Sequence, residues 1–295
     1  MRRLALLAIP ALIAVATAGA APTVLARIPV SAALQPCAAA SGGGFVWVSG
    51  YGAPYLLKID PRRNRVLSRT PIGNGSCGLG FGAGSLWIED TSSNTVSRVS
   101  AQTGKRTAAV KVGFTPYDAT FAYGAAWTTT NGSGDVERID PARNRVVKRF
   151  PLAGAVGVVA ASGSVWAAGA AGVIRIDPAA NAVLATIPIA TAGWTAASDD
   201  AVWVTTSTGV TRIDPATNAV AATIPLAGPL GDPDVVAGKL WVPQIRSNRI
   251  AVIDPETNAV TGFVKTGVGP FVVTQIAGEA WVPSWKGKDI WRIRP

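Results

Sequence analysis

The chain has 295 residues, a formal net charge of +10 at pH 7 and no histidine. Its basic balance favours acidic partners or surfaces. The lack of histidine removes the commonest general base near neutral pH and the commonest metal ligand, which excludes sites built on that side chain.

The first 20 residues have the pattern of a secretory signal peptide. Arg2 and Arg3 precede a long uncharged run, and Ala18-Gly19-Ala20 fits a small-x-small cleavage site. A membrane anchor is the alternative, but a proline and a glycine interrupt the apolar run and make it a poor spanning helix. We therefore expect cleavage after Ala20 and a secreted, periplasmic or cell-envelope protein, with residues 21–295 as a single domain.

A repeat organises the rest of the chain. A tryptophan in an apolar context recurs seven times at intervals of 37 to 40 residues: Trp47, Trp87, Trp127, Trp166, Trp203, Trp241 and Trp281. Between these anchors, runs rich in Val, Ile, Thr and Ala alternate with turn residues. The fourth unit contains four predicted strands, Val156–Ala161, Ser164–Ala168, Val173–Ile176 and Ala182–Ile187. Four strands in about 40 residues are typical of a propeller blade, so the sequence predicts an all-β, seven-bladed β-propeller with four-stranded antiparallel blades.

The turn between the third and fourth strands has its own signature, Asp-Pro followed by Asn or Gly. We expect a left-handed backbone at this last position and a capping role for the Asp side chain. A metal array of these carboxylates is the alternative, but equal spacing on separate blades keeps them apart. The positions with the expected positive φ are Asn64, Gly104, Asn144, Asn181, Asn218 and Asn258.

A basic residue precedes this turn in six of the seven units. Such regularity favours a structural cross-strand partner over a binding site. The six residues are Lys58, Arg98, Arg138, Arg175, Arg212 and Arg292.

The seventh unit ends at Pro295 after three strands. Residues 23–30 match the fourth strand of the fourth unit, residues 182–189. We therefore predict that the N-terminal strand closes the ring by pairing near Ile290–Ile293, which would remove an exposed sheet edge.

The repeated motifs resemble those of a known group of propellers. Val202-Trp203-Val204, the run from Arg212 to Val220 and the run Ala222-Thr223-Ile224-Pro225-Leu226 resemble the YVTN/YncE-like propellers, and the resemblance covers residues 23–295. More distantly, the chain is similar to the streptogramin (virginiamycin B) lyase propellers. That branch implies a catalytic histidine and a magnesium ion held by acidic residues near the channel top, and this chain has no histidine for the role.

The two cysteines occupy matching positions, 40 residues apart, in the innermost strands of adjacent blades. Because an exported chain meets oxidising conditions, we predict a disulfide between Cys37 and Cys77. Two buried thiols too far apart to bridge are the alternative.

The mouth of the channel is the expected ligand site, on the face built by the blade-to-blade links and the second-to-third-strand loops, which differ from unit to unit. A water-filled mouth without a ligand is the alternative. The candidate ligand-binding residues are Tyr51, Tyr55, Asp90, Tyr117, Asp118, Trp194, Asp234, Arg246, Phe271 and Trp285.

Basic residues concentrate in the outer hairpins of the first three blades. They could be a solvated rim or a docking surface for envelope polyanions or nucleic acid. We call this set the basic rim: Arg62, Arg63, Arg65, Arg69, Lys105, Arg106, Arg143, Arg145, Lys148 and Arg149.

Two functions of different class follow. The first is an exported, monomeric, non-catalytic scaffold that binds a protein, a glycan or an anionic polymer through its loop face. The second is a small-molecule enzyme of the streptogramin-lyase type, without the usual histidine and with its site at the channel mouth. We expect no cofactor for the first, whereas the second would use a divalent metal ion.

Overall fold

The computed structural model describes residues 21–295, so the predicted signal peptide, residues 1–20, lies outside the described residues. Seven four-stranded antiparallel sheets account for the described fold, which confirms the predicted seven-bladed propeller. Two short 3-10 helices span Ala32–Leu34 and Ile245–Ser247. Within residues 21–295, no helix has the length and apolar character needed to cross a membrane.

The first three blades each use four consecutive strands, with the innermost first. Their bounds are β2 (Pro36–Gly42), β3 (Phe45–Gly50), β4 (Tyr55–Asp60), β5 (Arg65–Pro71); β6 (Leu79–Gly82), β7 (Ser85–Asp90), β8 (Thr95–Ser100), β9 (Arg106–Lys111); and β10 (Pro116–Ala122), β11 (Ala125–Thr130), β12 (Asp135–Asp140), β13 (Arg145–Pro151).

Blades four to six follow the same order, and the seventh combines the two ends of the described chain. The bounds are β14 (Val158–Ala161), β15 (Ser164–Gly169), β16 (Gly172–Asp177), β17 (Ala182–Ile187); β18 (Thr195–Ala197), β19 (Val202–Thr205), β20 (Gly209–Asp214), β21 (Ala219–Pro225); β22 (Asp234–Val236), β23 (Lys239–Gln244), β24 (Arg249–Asp254), β25 (Ala259–Lys265); and β26 (Thr274–Ile276), β27 (Glu279–Pro283), β28 (Asp289–Arg294), β1 (Thr23–Pro29).

The N-terminal strand closes the ring as predicted. β1 pairs antiparallel with β28, and Ile28 lies opposite Ile290. Ile28 is fully buried and packs in one hydrophobic cluster with Trp281 of the seventh blade and Val46 of the first. The closure therefore buries apolar surface as well as pairing a sheet edge.

The repeated tryptophans form the packing between blades. All seven are at most 1% exposed, and Trp47 Nε1 donates a hydrogen bond of 3.0 Å to the carbonyl oxygen of Gly42. The predicted cross-strand role of the basic residues is confirmed, since Arg98 lies opposite Trp87 with its guanidinium 4.9 Å from the indole centroid. Burial of these rings, joined to a cation–π contact, ties the second strand to the third in each such blade.

The Asp-Pro turns have the predicted geometry. Asn64 has φ +51°, and the Asp60 carboxylate accepts a hydrogen bond of 2.8 Å from the backbone N–H of Arg62. Positive φ recurs at the other five predicted positions, Gly104, Asn144, Asn181, Asn218 and Asn258. These turns and the hairpins between first and second strands lie on one face, which we call the turn face. The opposite face, formed by the second-to-third-strand loops and the blade links, is the mouth face.

Candidate functional site

A cavity of about 410 Å³ opens on the mouth face. We call it the aromatic cavity, because its surface is mostly carbon and five aromatic side chains contribute to it. Its lining residues come from several blades: Cys37, Tyr51, Gly75, Cys77, Glu89, Thr91, Thr115, Tyr117, Trp194, Phe271 and Trp285.

Four of the five rings form a continuous series across the mouth. Tyr117 stacks on Trp194 with ring centroids 5.5 Å apart, and Trp194 meets the edge of Phe271 at 5.1 Å. Phe271 in turn contacts Trp285 at 5.5 Å. Tyr51, half exposed, stands at the outer edge. The structure thus brings together five of the sequence-predicted site residues, contributed by the first, third, fifth and seventh blades.

A hydrogen bond from the backbone N–H to a threonine hydroxyl holds both Trp194 and Asp118 at the starts of their inner strands. The threonine two residues after the buried tryptophan accepts from the facing inner residue, so Thr205 Oγ1 accepts from the Trp194 N–H at 2.9 Å. In the third blade, Thr129 Oγ1 accepts from the Asp118 N–H at 3.1 Å. Trp194 in the fifth blade is therefore equivalent to Asp118 in the third, and the bond to Thr205 positions the Trp194 backbone beside Tyr117.

The predicted disulfide is confirmed. Cys37 and Cys77 are bonded, with their Cα atoms 5.0 Å apart, and both residues line the aromatic cavity. The bond joins the starts of the inner strands of the first two blades. It therefore fixes part of the wall of the cavity.

Glu89 is a site residue that the sequence interpretation missed. It occupies the position of Thr129 and Thr205 in the second blade, lines the aromatic cavity and has no exposed surface. Its Oε1 accepts from the backbone N–H of Cys77, whereas its Oε2 has no hydrogen-bond partner among the described residues. Burial, and then the nearby Asp90 and Asp118 carboxylates, raise the pKa of Glu89 well above its usual range.

Three carboxylates line a second, deeper cavity of about 180 Å³, which shares Cys77 with the first. We call it the acidic channel. Asp118 and Asp234 were predicted site residues, and each accepts two backbone N–H bonds; those to Asp118 come from Ala119 at 2.8 Å and Val158 at 2.9 Å. The third, Asp232, was missed, and its carboxylate accepts no hydrogen bond from the described residues. No lysine or arginine is found among the described residues that line either cavity.

Burial raises the pKa values of all three channel carboxyls. The pKa of Asp118 rises to about 6. The pKa of Asp232 lies well above its usual value, because burial and then the Asp118 and Asp234 charges oppose its ionisation. The pKa of Asp234 is raised by burial against the effect of its two backbone donors. Among residues 21–295, no group of three or more His, Cys, Asp or Glu side chains is placed to hold a metal ion.

Three predicted site residues lie away from the cavity. Asp90 is fully buried, where it accepts bonds from the Gly73 N–H at 2.9 Å and from hydroxyls such as Ser76 Oγ at 3.0 Å, and so holds the link to the second blade. Tyr55 faces an outer groove, with the Arg69 guanidinium 4.8 Å from its ring centroid. Arg246 is exposed in the short 3-10 helix at 245–247.

The basic rim is exposed, and most of it lies at the turn face. Carboxylates already pair with three of its members, Arg63 with Asp60 at 3.3 Å, Arg143 with Asp140 at 2.7 Å, and Arg149 with Glu137 at 2.8 Å. The others have no carboxylate partner within the described part of the chain: Arg62, Arg65, Arg69, Lys105, Arg106, Arg145 and Lys148. The rim thus keeps unpaired positive charge at a distance from the acidic channel.

Comparison with family models and with curated proteins finds no match for this sequence. Solved structures do share the fold. The chain is similar to hydrazine synthase from Kuenenia stuttgartiensis, with a TM-score of 0.77 and 16% identity over 90% of this chain and 97% of that one. It is also similar to BamB from Moraxella catarrhalis, with a TM-score of 0.65 and 14% identity over 94% of this chain and 98% of that one. At these identities the likeness shows the propeller fold alone.

Proposed function

We propose that this protein is an exported, non-catalytic binding propeller of the YVTN/YncE-like type, and that its partner is a protein that inserts a side chain into the aromatic cavity. The observation that carries the proposal is the series of packed rings around a cavity of about 410 Å³. Partly exposed aromatic rings at the centre of a loop-built face are typical of the energetic centre of a protein interface.

The surroundings of the cavity also favour a partner that inserts a group. The loops around it differ in sequence from blade to blade, whereas the β-sheets and the disulfide beneath them are rigid, and a constant scaffold with varied loops suits recognition. The cavity residues are supplied by different blades, so a partner that fills it contacts several loops at once. An anionic polymer fits these two cavities poorly, since carboxylates line both and no lysine or arginine is found among the described residues of either lining.

The polar groups of the site favour binding over catalysis. Asp118 and Asp234 are each held by two backbone N–H bonds, one to each carboxylate oxygen, so both side chains are fixed in the wall of the channel. No histidine is present to act beside them. The lyase-type alternative would therefore need a carboxylate as its general base.

Site-specific photocrosslinking in the producing cell tests the proposal. A benzophenone amino acid at Tyr51, which is 50% exposed beside the cavity, should capture a protein partner outside the cytoplasm. The matched control is the same replacement at Tyr123, a 43% exposed tyrosine in a hairpin of the turn face. Products specific to Tyr51, and lost when Trp194 is replaced by leucine, support the proposal. No product at Tyr51, or the same products at both positions, would contradict it.

A further inference from the structure

The aromatic cavity and the acidic channel contain carboxylates that lack a counter-ion. Glu89 is fully buried with an unpartnered Oε2, and Asp232 points into the channel without a hydrogen bond to its carboxylate among the described residues. Asp118 and Asp234 add two further carboxyls, and the part of the chain that the structure describes places no lysine or arginine in the lining. In a chain whose net charge is +10, acidic side chains without nearby basic ones set these two cavities apart. A buried carboxylate without a partner is costly, so the site gains most from a ligand that brings positive charge.

The rings above these carboxylates have the same preference. The faces of tryptophan, tyrosine and phenylalanine rings attract cations, and several rings around one cavity form the kind of cage that holds an organic ammonium group. The ammonium of Lys286 already lies 5.7 Å from the centroid of the Trp285 ring. Lys286 belongs to a neighbouring groove and does not line the aromatic cavity, so no basic side chain of residues 21–295 lies in the lining.

We infer that the aromatic cavity binds an organic ammonium group, enclosed by the rings of Tyr117, Trp194 and Trp285 above the carboxylates of Glu89 and Asp232. This inference rests on the proposed function, because it names the chemistry of the inserted group. A cavity of about 410 Å³ with a mostly apolar lining fits the carbon body of such a ligand better than a bare ion. The group can come from a lysine side chain of the partner or from a free small-molecule amine.

Ammonium binding should be linked to pH. Burial raises the pKa values of Glu89 and Asp232 well above their usual range, so both carboxyls stay neutral to a higher pH. The charges of Asp90 and Asp118 add to the effect on Glu89, and those of Asp118 and Asp234 add to the effect on Asp232. Among residues 21–295, the hydroxyls of Tyr51 and Tyr117 are the other titratable groups that line the aromatic cavity. A bound cation favours the charged carboxylates, so binding releases protons and becomes tighter as pH rises.

Calorimetric titration of the mature protein tests the inference with two pairs of probes. Choline is compared with 3,3-dimethylbutan-1-ol, in which carbon replaces the quaternary nitrogen, and Nα-acetyl-lysine methylamide is compared with its norleucine analogue. We expect one ammonium probe or both to bind about tenfold more tightly than its neutral partner at pH 8, and more weakly at pH 5.5. Preference for choline alone indicates a free small-molecule ammonium ligand, and preference for the lysine derivative indicates a lysine side chain of a protein partner.

Conservative variants locate the effect. Glu89→Gln combined with Asp232→Asn keeps shape and should weaken ammonium binding about tenfold while flattening its pH dependence. The matched control, Glu256→Gln with Asp199→Asn, removes two exposed acids from the turn face and should leave binding unchanged. Equal affinity for ammonium and neutral probes, no binding of either ammonium, or full binding by the cavity variant would overturn the inference. None of these outcomes touches the proposed function, which fails only if crosslinking at Tyr51 captures no specific partner.

Discussion

Arg292 and Asn64 are 228 residues apart in sequence, yet a 2.9 Å hydrogen bond from the guanidinium Nη1 to the amide Oδ1 joins them. The same Nη1 donates to the carbonyl oxygen of Pro61, and the guanidinium lies 5.5 Å from the centroid of the Trp281 ring. Arg98 makes the same contacts with Pro141 and Asn144 inside the ring. The junction between the last and first blades is therefore built like an internal one.

This arginine is found only where the next blade supplies an Asp-Pro turn. The first blade has Lys58, and the turn that follows in the second blade ends in Gly104 instead of asparagine. The sixth blade has Val252, and the seventh has no third-to-fourth-strand turn because β1 supplies its outer strand. The arginine is thus explained by its partner in the next blade.

Replacing Arg292 with methionine should destabilise the ring. The change removes the bonds to Pro61 and Asn64 and leaves Glu279, its ion-pair partner, uncompensated. We expect a loss of about 1–3 kcal/mol in the free energy of unfolding, measured by urea denaturation. Arg294→Met is the matched control, an exposed arginine two residues along the same strand that should change stability little. Equal effects from the two replacements would contradict a stabilising role for the bonds from Arg292 to Pro61 and Asn64.

The fold could be predicted from the sequence because each repeated residue has the same packing or turn role in every blade where it occurs. Trp47 and its six equivalents fill the space between blades, and the Asn64-type positions need a left-handed backbone that few residues tolerate. Repetition multiplies a weak local signal seven times. The aromatic residues Tyr117, Trp194 and Phe271 were found because they stand near the starts of the predicted inner strands, which lie at the mouth of the channel.

Glu89 and Asp232 could not be identified in the same way. Glu89 stands at a strand position where Thr129 and Thr205 have hydroxyls, and a single polar residue there resembles one more cross-strand bond. Its role depends on the Cys77 N–H and on a carboxylate oxygen left without a partner, which are properties of the folded ring. Substitution of a carboxylate for a hydroxyl at this equivalent position was the one signal available.

The disulfide should contribute substantially to stability. Cys37 and Cys77 close a loop of 40 residues, and in the chain-entropy model such a bond stabilises by about 4 kcal/mol. We expect the double replacement by serine to lower the free energy of unfolding, measured by urea denaturation, by about this amount. Thiol titration of the unfolded, unreduced protein should find no free thiol. A double variant as stable as the wild type would contradict the expectation. Ser49→Ala controls for the loss of a small side chain, because the Ser49 hydroxyl is buried nearby and has no hydrogen-bond partner within residues 21–295.

Asp118 should make stability depend on pH. Its pKa is raised to about 6 in the folded protein, against about 3.9 in an unfolded chain. The stability that its neutral form contributes is therefore fully present below pH 4 and is lost as pH rises through 6. The Asp118→Asn variant stays neutral, so its stability relative to the wild type should increase from pH 4 to pH 7.

Urea denaturation of both proteins across this range provides the measurement. The absolute difference at one pH also includes the hydrogen bond that an amide cannot accept from Ala119 or Val158, so the change of the difference with pH is the diagnostic quantity. Glu256→Gln, which removes an exposed carboxyl, should give a nearly constant difference. A constant difference for Asp118→Asn as well would contradict the raised pKa.

The basic rim should bind anionic polymers through charge alone. Its unpaired bases lie on the first three blades, and a cluster of this kind attracts polyanions with an affinity that falls as salt rises. Reversing four of its charges should lower the affinity for heparin or polyphosphate at low salt by tenfold or more, and should flatten the dependence of affinity on salt concentration. The four replacements are Arg62→Glu, Arg63→Glu, Arg143→Glu and Arg145→Glu.

A second quadruple variant separates a local rim from the effect of net charge. It reverses four exposed bases of the sixth and seventh blades and changes the total charge by the same amount: Arg246→Glu, Lys265→Glu, Lys286→Glu and Lys288→Glu. If the rim is the docking surface, the control variant should keep most of its polymer affinity in filter-binding titrations. Unchanged binding by the rim variant, or an equal loss in both variants, would mean that these arginines are a solvated edge of the ring and not a docking surface. Arg63 and Arg143 are already paired with Asp60 and Asp140, so most of the expected loss should come from Arg62 and Arg145, and the double variant of those two should reproduce it.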